Sequence, residues 1–209
     1  MASVSPDRIE ASAVARHIAR VAARQFALNG FDATPVRAIV EAAGVTKPTL
    51  YYHFGSKEGL AQALLTVPMT GLVDRLRAIV GTGGDPTDAL EKSFEAHFSF
   101  CREEPDRARF FFALVFGPHG SGVLAEELFR FGDAMDAQMR GVVGRLSEEG
   151  IVAPGRVEDC AQACCGLIRM AVMDFLFKGG DLDAALARRL VGDLLWGFGV
   201  PGSDEVKGS

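Results

Sequence analysis

The chain has 209 residues, 48% of them hydrophobic, and a formal net charge of −5, enough length and apolar content for a small domain and a larger one. No apolar run reaches the about 18 residues of a membrane span, because Gln162, Arg169 and Asp174 interrupt residues 161–177. The N-terminal MASVSPDRIEAS lacks the apolar core of a secretory signal, and four cysteines, three of them at 160, 164 and 165, do not make a disulfide scaffold. A reducing, cytoplasmic setting with no membrane partner is expected.

Residues 1–10 read as a flexible tail. From 11 to 29, Val14, Ile18, Val21, Ala22 and Phe26 recur at three- and four-residue steps and predict a helix that ends at Asn29-Gly30. Its Arg16, Arg20 and Arg24 share one face, which either touches a nucleic-acid backbone or is simply solvated. Thr34 can then cap a short helix with Pro35 at its first position, and Val36, Ile39 and Val40 give that helix one apolar face. Ala42 and Ala43 allow close approach, and Gly44 can take the left-handed conformation of a tight turn. A second short helix starts at the N-cap candidate Thr46. Leu50 and Phe54 face its core side, leaving Lys47, Thr49, Tyr51 and His53 free for a partner. Gly55 stops it, and Ser56 caps a third helix whose first residue, Lys57, opposes the positive end of the helix dipole. A phosphate bound there would resolve the mismatch. Two short helices across a glycine turn form the helix-turn-helix pattern of a DNA reader.

The segment IARVAARQFALNGFDATPVRAIVEAAGVTKPTLYYHFGSKEGLAQALL, Ile18 to Leu65 within a match over roughly residues 16 to 65, resembles the N-terminal domain of the TetR/AcrR family of transcriptional repressors, with turn, aromatic run and Lys-Glu helix start in register. The resemblance implies an all-α homodimer that binds an operator and releases it when a small molecule enters the larger C-terminal domain. It also implies that Arg37 reaches a base edge. Thr49 and Tyr51 would lie on the recognition face with Pro48 beside a thymine methyl, and Thr46, Lys47, Tyr52, His53 and Lys57 complete the expected DNA-binding set. Two positions depart from the family pattern. Pro35 stands where Ser or Thr is usual, and Gly59 where a larger or acidic residue is usual. The expected organisation is a three-helix DNA-binding domain over 11–60, a helical ligand-binding and dimerisation domain over 61–200, and a second tail over 201–209. The target would be an inverted repeat in double-stranded DNA.

Charge is segregated accordingly. Residues 1–60 hold 7 Lys+Arg against 5 Asp+Glu, or +2, while the remainder holds 15 against 22, or −7. So small an excess implies few phosphate contacts per subunit, hence a need for two subunits.

Beyond Lys57, a helix runs toward Leu65, is kinked at Pro68 and resumes through Leu76 to Val80, followed by the linker GTGGDP at 81–86. Helices are then predicted at about 87–103, 106–116, 122–149, 155–178 and 183–198, with no strand. Phe94, Phe98 and Cys101 share one helix face, with Phe112 and Phe116 on the next, Met135 and Met139 four apart on a third, and Met173 on a fourth. Any one of these is an ordinary core residue. Together they suit an apolar pocket for a hydrophobic or amphipathic effector, with His97, His119, Gln138 and Arg169 as its polar members. Arg169 either holds an anionic ligand group or pairs with a carboxylate such as Asp174 across a dimer seam. Leu167, Met170, Phe177, Leu186, Leu190, Leu194 and Leu195 suggest that seam, a four-helix contact between two copies.

The rival classes are weaker. His97 with Cys101, and Cys160 with Cys164, have the spacing of metal ligands, yet cysteine commonly serves as a small hydrophobe, so no metal and no cofactor are expected. HGSG at 119–122 resembles an esterase oxyanion segment but lacks a G-x-S-x-G elbow and the strands to carry one, so the chain is not read as an enzyme. A helix-turn-helix regulator controlled by a protein partner, without a small ligand, is the remaining alternative.

Overall fold

The computed structural model describes residues 12–116 and 122–196, and among these every regular element is helical. The helices are α1 (Ala13–Asn29), α2 (Val36–Ala43), α3 (Lys47–Phe54), α4 (Lys57–Gly81), α5 (Pro86–Glu103), α6 (Pro105–Phe116), α7 (Gly122–Glu148), α8 (Val157–Lys178) and α9 (Ala184–Trp196), with a 3-10 turn over Pro154–Arg156. The expected tails and the HGSG run lie outside the described residues or at their edge, as does His119.

Ser12 caps α1 by accepting from the Ala15 N–H at 3.3 Å. Of the predicted stripe on α1, Ile18, Ala22 and Phe26 are buried, Val21 is half-buried and Val14 is exposed, its place taken by Ala15. Thr34 does not cap α2. It is buried, and its hydroxyl donates back to the carbonyls of Gly30 at 2.7 Å and Gln25 at 3.3 Å, closing the end of α1. Pro35 is the N-cap residue and offers α2 no side-chain bond. Gly44 takes the left-handed conformation, φ 62° and ψ 31°, and His17 donates to the last α2 carbonyl, that of Ala43, at 3.2 Å. Thr46 caps α3 through the Thr49 N–H, and Ser56 caps α4 through the Gly59 N–H at 2.9 Å. α4 continues past Pro68 to Gly81 without a break in the helix.

The chain forms two compact units. One gathers the described residues up to Arg75 with Phe100–Met135, the other Leu76–Ser99 with Asp136 onward. The core of the first does not stop at residue 60. Ile18, Phe26, Ile39, Leu50 and Phe54 belong to one buried cluster with Leu60, Leu64, Leu65, Phe110, Leu124 and Leu128, and the Phe26 and Phe110 rings lie 5.0 Å apart. At about 1.5–3 kcal/mol for each fully buried large side chain, this cluster holds helices far too short to persist alone.

In the second unit, Arg145 of α7 secures the 82–85 turn by donating to the carbonyls of Val80, at 3.2 Å, and Gly84. α8 buries Ala161, Cys164, Ile168, Val172 and Leu176 along one stripe. With its preceding turn, α8 is long and apolar enough to cross a membrane, contrary to the expectation from sequence, with a mean hydropathy of 1.5 over its best window. None of the polar interruptions is on the buried stripe: Gln162 and Arg169 are exposed and Asp174 is half-buried, the pattern of a helix lying against a core.

Gly59 explains its own departure from the family pattern. A Cβ there would stand 2.2 Å from the Phe54 carbonyl oxygen, whereas one at Gly71, also within α4, would meet nothing within 4 Å. Gly59→Ala is therefore expected to lower unfolding free energy by about 1–3 kcal/mol, as overpacking does. Gly71→Ala should raise it by roughly 0.5–1 kcal/mol through backbone entropy. Urea unfolding of the two variants checks both signs.

Candidate functional site

The helix-turn-helix places its polar residues outward because two anchors place it. Leu50 and Phe54 are 0% and 1% exposed, so the remaining positions of α3 must face away from the core. Lys47 and Pro48 are exposed, Tyr51 and Tyr52 are 44% and 70% exposed, and Thr49 and His53 are half-buried. The Thr46 and Thr49 hydroxyls are 2.8 Å apart, and the Tyr52 and His53 rings meet edge to face at 5.1 Å. Neither α2 nor α3 carries an acidic residue in its first turn. Their amide ends are therefore not neutralised from within.

Arg37 stands on the exposed side of α2. Its Nε donates to Glu41 Oε1 at 2.6 Å, and this bond, with the charge of Glu41, holds the guanidinium above its ordinary value. The terminal nitrogens of the fork are not used by that bond. Lys57 is held at the other end of the motif: its ammonium donates to the Asp32 carbonyl at 3.3 Å and lies 4.4 Å from the centre of the Phe31 ring. The nine residues expected to meet DNA thus fall on α2, α3 and the first turn of α4, within a single compact unit. Arg16, Arg20 and Arg24 are exposed along α1.

The residues expected to hold an effector divide between the two units. Cys101, Phe112 and the half-buried Met135 belong to the first. Phe94, His97, Phe98, Gln138, Met139, Arg169 and Met173 belong to the second, with Phe94, Phe98 and Met139 buried. The side chain of Phe116, like His119, lies outside the described residues. His97 donates from Nδ1 to the Ser93 carbonyl at 2.7 Å. Burial pushes its pKa down against the opposing pull of that bond and of Asp136.

A cleft of roughly 380 Å³ opens between α7 and α8 in the second unit, lined by Asp136, Arg140, Glu158, Ala161, Gln162, Cys165 and Arg169. Of the expected ligand residues only Arg169 lines it. Arg169 faces Asp136 at 3.9 Å and Arg140 faces Glu158 at 3.6 Å, while Asp174 is taken by Lys178 at 2.7 Å on its own helix. The Cys165 thiol donates to Asp136 at 3.3 Å. Sequence reasoning missed Asp136, Arg140 and Glu158, since nothing local marks them apart from other surface charges.

Cysteine chemistry finds little support. Burial, with the bond to Asp136, pushes Cys165 up to about 12; burial alone does the same to Cys101, and it raises Cys160 and Cys164 as well. Reactive thiols need the opposite shift. Among the described residues no group of three or more His, Cys, Asp or Glu is placed to hold a metal ion.

Comparison with known proteins agrees with this geometry. The family model for bacterial regulatory proteins of the tetR family matches residues 18–64, which span most of α1, all of α2 and α3, and the start of α4. Over 176 residues the chain is 26% identical to the HTH-type transcriptional repressor KstR2 of Rhodococcus jostii, covering 84% of this chain and 73% of that one. The TetR family transcriptional regulator PfmR from Thermus thermophilus superposes with a TM-score of 0.73 at 25% identity, over 88% of this chain and 99% of its own. The transcriptional regulator FadR from Bacillus subtilis, solved in complex with stearoyl-CoA, shares the fold with a TM-score of 0.71 at 20% identity, over 88% and 99%. An N-terminal reading motif in register with the family model, carried on a helical chain that superposes along most of its length on a solved TetR family regulator, identifies residues 18–64 as a tetR-family DNA-binding domain and gives the chain the fold of that family's regulators.

Proposed function

We propose that the protein is a homodimeric repressor that binds an inverted repeat through α2 and α3 and leaves it when an amphipathic effector binds. The observation that carries the reading is the outward set on α3: six of its eight residues avoid the core, and they include two tyrosines, a lysine and a histidine. In this reading Arg37 contacts a base edge through the fork nitrogens that Glu41 leaves open, while Lys57 contacts phosphate with the N–H groups its Asp32 bond does not use. Thr49, Tyr51 and Tyr52 supply further base and backbone contacts. The exposed Met170, Phe177 and Trp196 of α8 and α9 support a seam with a second copy. Because DNA is the target, the protein works where the chromosome is.

For the effector, the likeness to a regulator solved with stearoyl-CoA favours an acyl-CoA thioester. Effector binding opposes DNA binding only if the effector prefers the DNA-incompetent state, by about 1.4 kcal/mol for each tenfold loss of operator affinity. α4 begins at the reading motif and extends into the second unit, so a displacement along it can change the spacing of two recognition helices that must fit successive grooves together.

Two experiments test this. Arg37→Ala should cost on the order of 1–3 kcal/mol on the preferred sequence and relax base preference at one position, whereas Lys57→Ala should weaken all sequences alike and lower the salt slope by about one unit. Fluorescence anisotropy with specific and scrambled duplexes over a salt series separates the two, and equal effects of both variants on both duplexes would contradict the division. In the second, short-, medium- and long-chain acyl-CoA thioesters are titrated into the protein–DNA complex. At least one is expected to release the DNA, and retention against all of them would remove the effector assignment.

A further inference from the structure

One ion pair in the reading motif runs against the helix that carries it. Arg37 lies in the first turn of α2 and Glu41 in the last, so each charge sits at the end of the helix dipole that disfavours it. Pairs four residues apart are also weaker with the base ahead of the acid. Asp88–Lys92, Glu127–Arg130 and Asp174–Lys178 all put the acid first, as helix stability favours. Arg37 and Glu41 do the reverse, and with side chains 77% and 61% exposed their attraction is largely screened by solvent. Local stability does not account for the pair.

Its geometry is nonetheless tight. Glu41 Oε1 accepts from Arg37 Nε at 2.6 Å. A bond at Nε fixes the guanidinium plane relative to α2 and leaves the two terminal nitrogens, whose parallel N–H groups match O6 and N7 of guanine. Immobilising a long side chain opposes binding, and here the free protein has already immobilised it. The same carboxylate limits indiscriminate binding. Standing one helical turn from the fork, it is repelled by a phosphate backbone, and only a site whose base edge engages the fork offsets that repulsion.

We propose that Glu41 is the positioning residue of base readout: through Arg37 Nε it holds the fork for a guanine edge, and its charge disfavours sequences that lack one. The inference rests on the reading in which Arg37 meets a base. Glu41 touches no base in it, so its effect should appear as a change in discrimination between sequences.

The test uses the full-length protein and the tightest duplex recovered from a random-sequence pool. Four versions of it differ at the base pair that Arg37→Ala ceases to distinguish, and a scrambled duplex is the reference. Fluorescence anisotropy compares the parent with Glu41→Ala and Glu41→Gln. Glu41→Ala removes both acceptor and charge. It should lower the preference for the best base pair by about two- to tenfold, the worth of holding one long side chain still, while scrambled DNA binds more tightly. Glu41→Gln keeps an acceptor for Nε and loses the charge, so it should tighten scrambled DNA as alanine does and yet keep most of the base preference. Both substitutions lie in solvent, so both thermal midpoints should match that of the parent. A carboxylate that acts by charge alone gives a different result: both variants tighten every duplex by one factor with the preference unchanged, which would overturn the inference. Equal loss of preference in the two variants would overturn it as well. Added to Arg37→Ala, Glu41→Ala should leave the base preference where it is, and a further change would contradict an action through Arg37. If Arg37→Ala relaxes no base pair, the reading falls and the inference with it; if it does and Glu41→Ala does not, the inference alone falls.

Discussion

Everything at the reading end depends on the burial of two side chains. α3 is eight residues long, too short to hold its shape in water, and it exists because Leu50 and Phe54 are inserted into a core that also contains Ile18, Phe26, Leu60 and Phe110. Replacing either anchor would remove a large part of the free energy that keeps this helix in place, at the about 2–5 kcal/mol typical of a large-to-small core change. The same core includes the first turns of α4. The recognition helix and the helix that follows it are thus parts of one packed object, joined at a turn where Gly59 lets the Phe54 carbonyl approach more closely than any side chain would permit.

That rigidity makes a weak charge excess usable. With only +2 over residues 1–60, affinity for DNA cannot come from a diffuse basic surface. In the proposed reading it comes from well-placed groups: the unneutralised starts of α2 and α3, the Arg37 fork steadied by Glu41, and the Lys57 ammonium fixed against Phe31 and Asp32. Preorganised contacts of this kind lose little entropy on binding, which suits the proposed docking of two copies together.

The reading motif was legible in the sequence because its determinants are local. Caps, a left-handed glycine and apolar spacing all act within a few residues, and Thr46, Gly44, Leu50 and Phe54 do what their neighbours imply. Thr34 shows where local reasoning fails. Threonine before Pro35 looks like a helix cap, but the end of α1 brings the Gly30 and Gln25 carbonyls within its reach, and a buried hydroxyl takes the bonds that folding supplies. Arg169 stands out by its sequence context, but Asp136, the carboxylate it faces within the chain, is on another helix and no local pattern marks it.

The central claim is that this short, doubly anchored helix reads DNA as one of a pair. Selection of bound duplexes from a random-sequence pool by the full-length protein tests it most directly. The account predicts enrichment of an inverted repeat with half-site centres about 34–36 Å apart, one helical turn, on the same face of the duplex. Enrichment of a lone half-site bound by a monomer, or no enrichment over the starting pool, would contradict it.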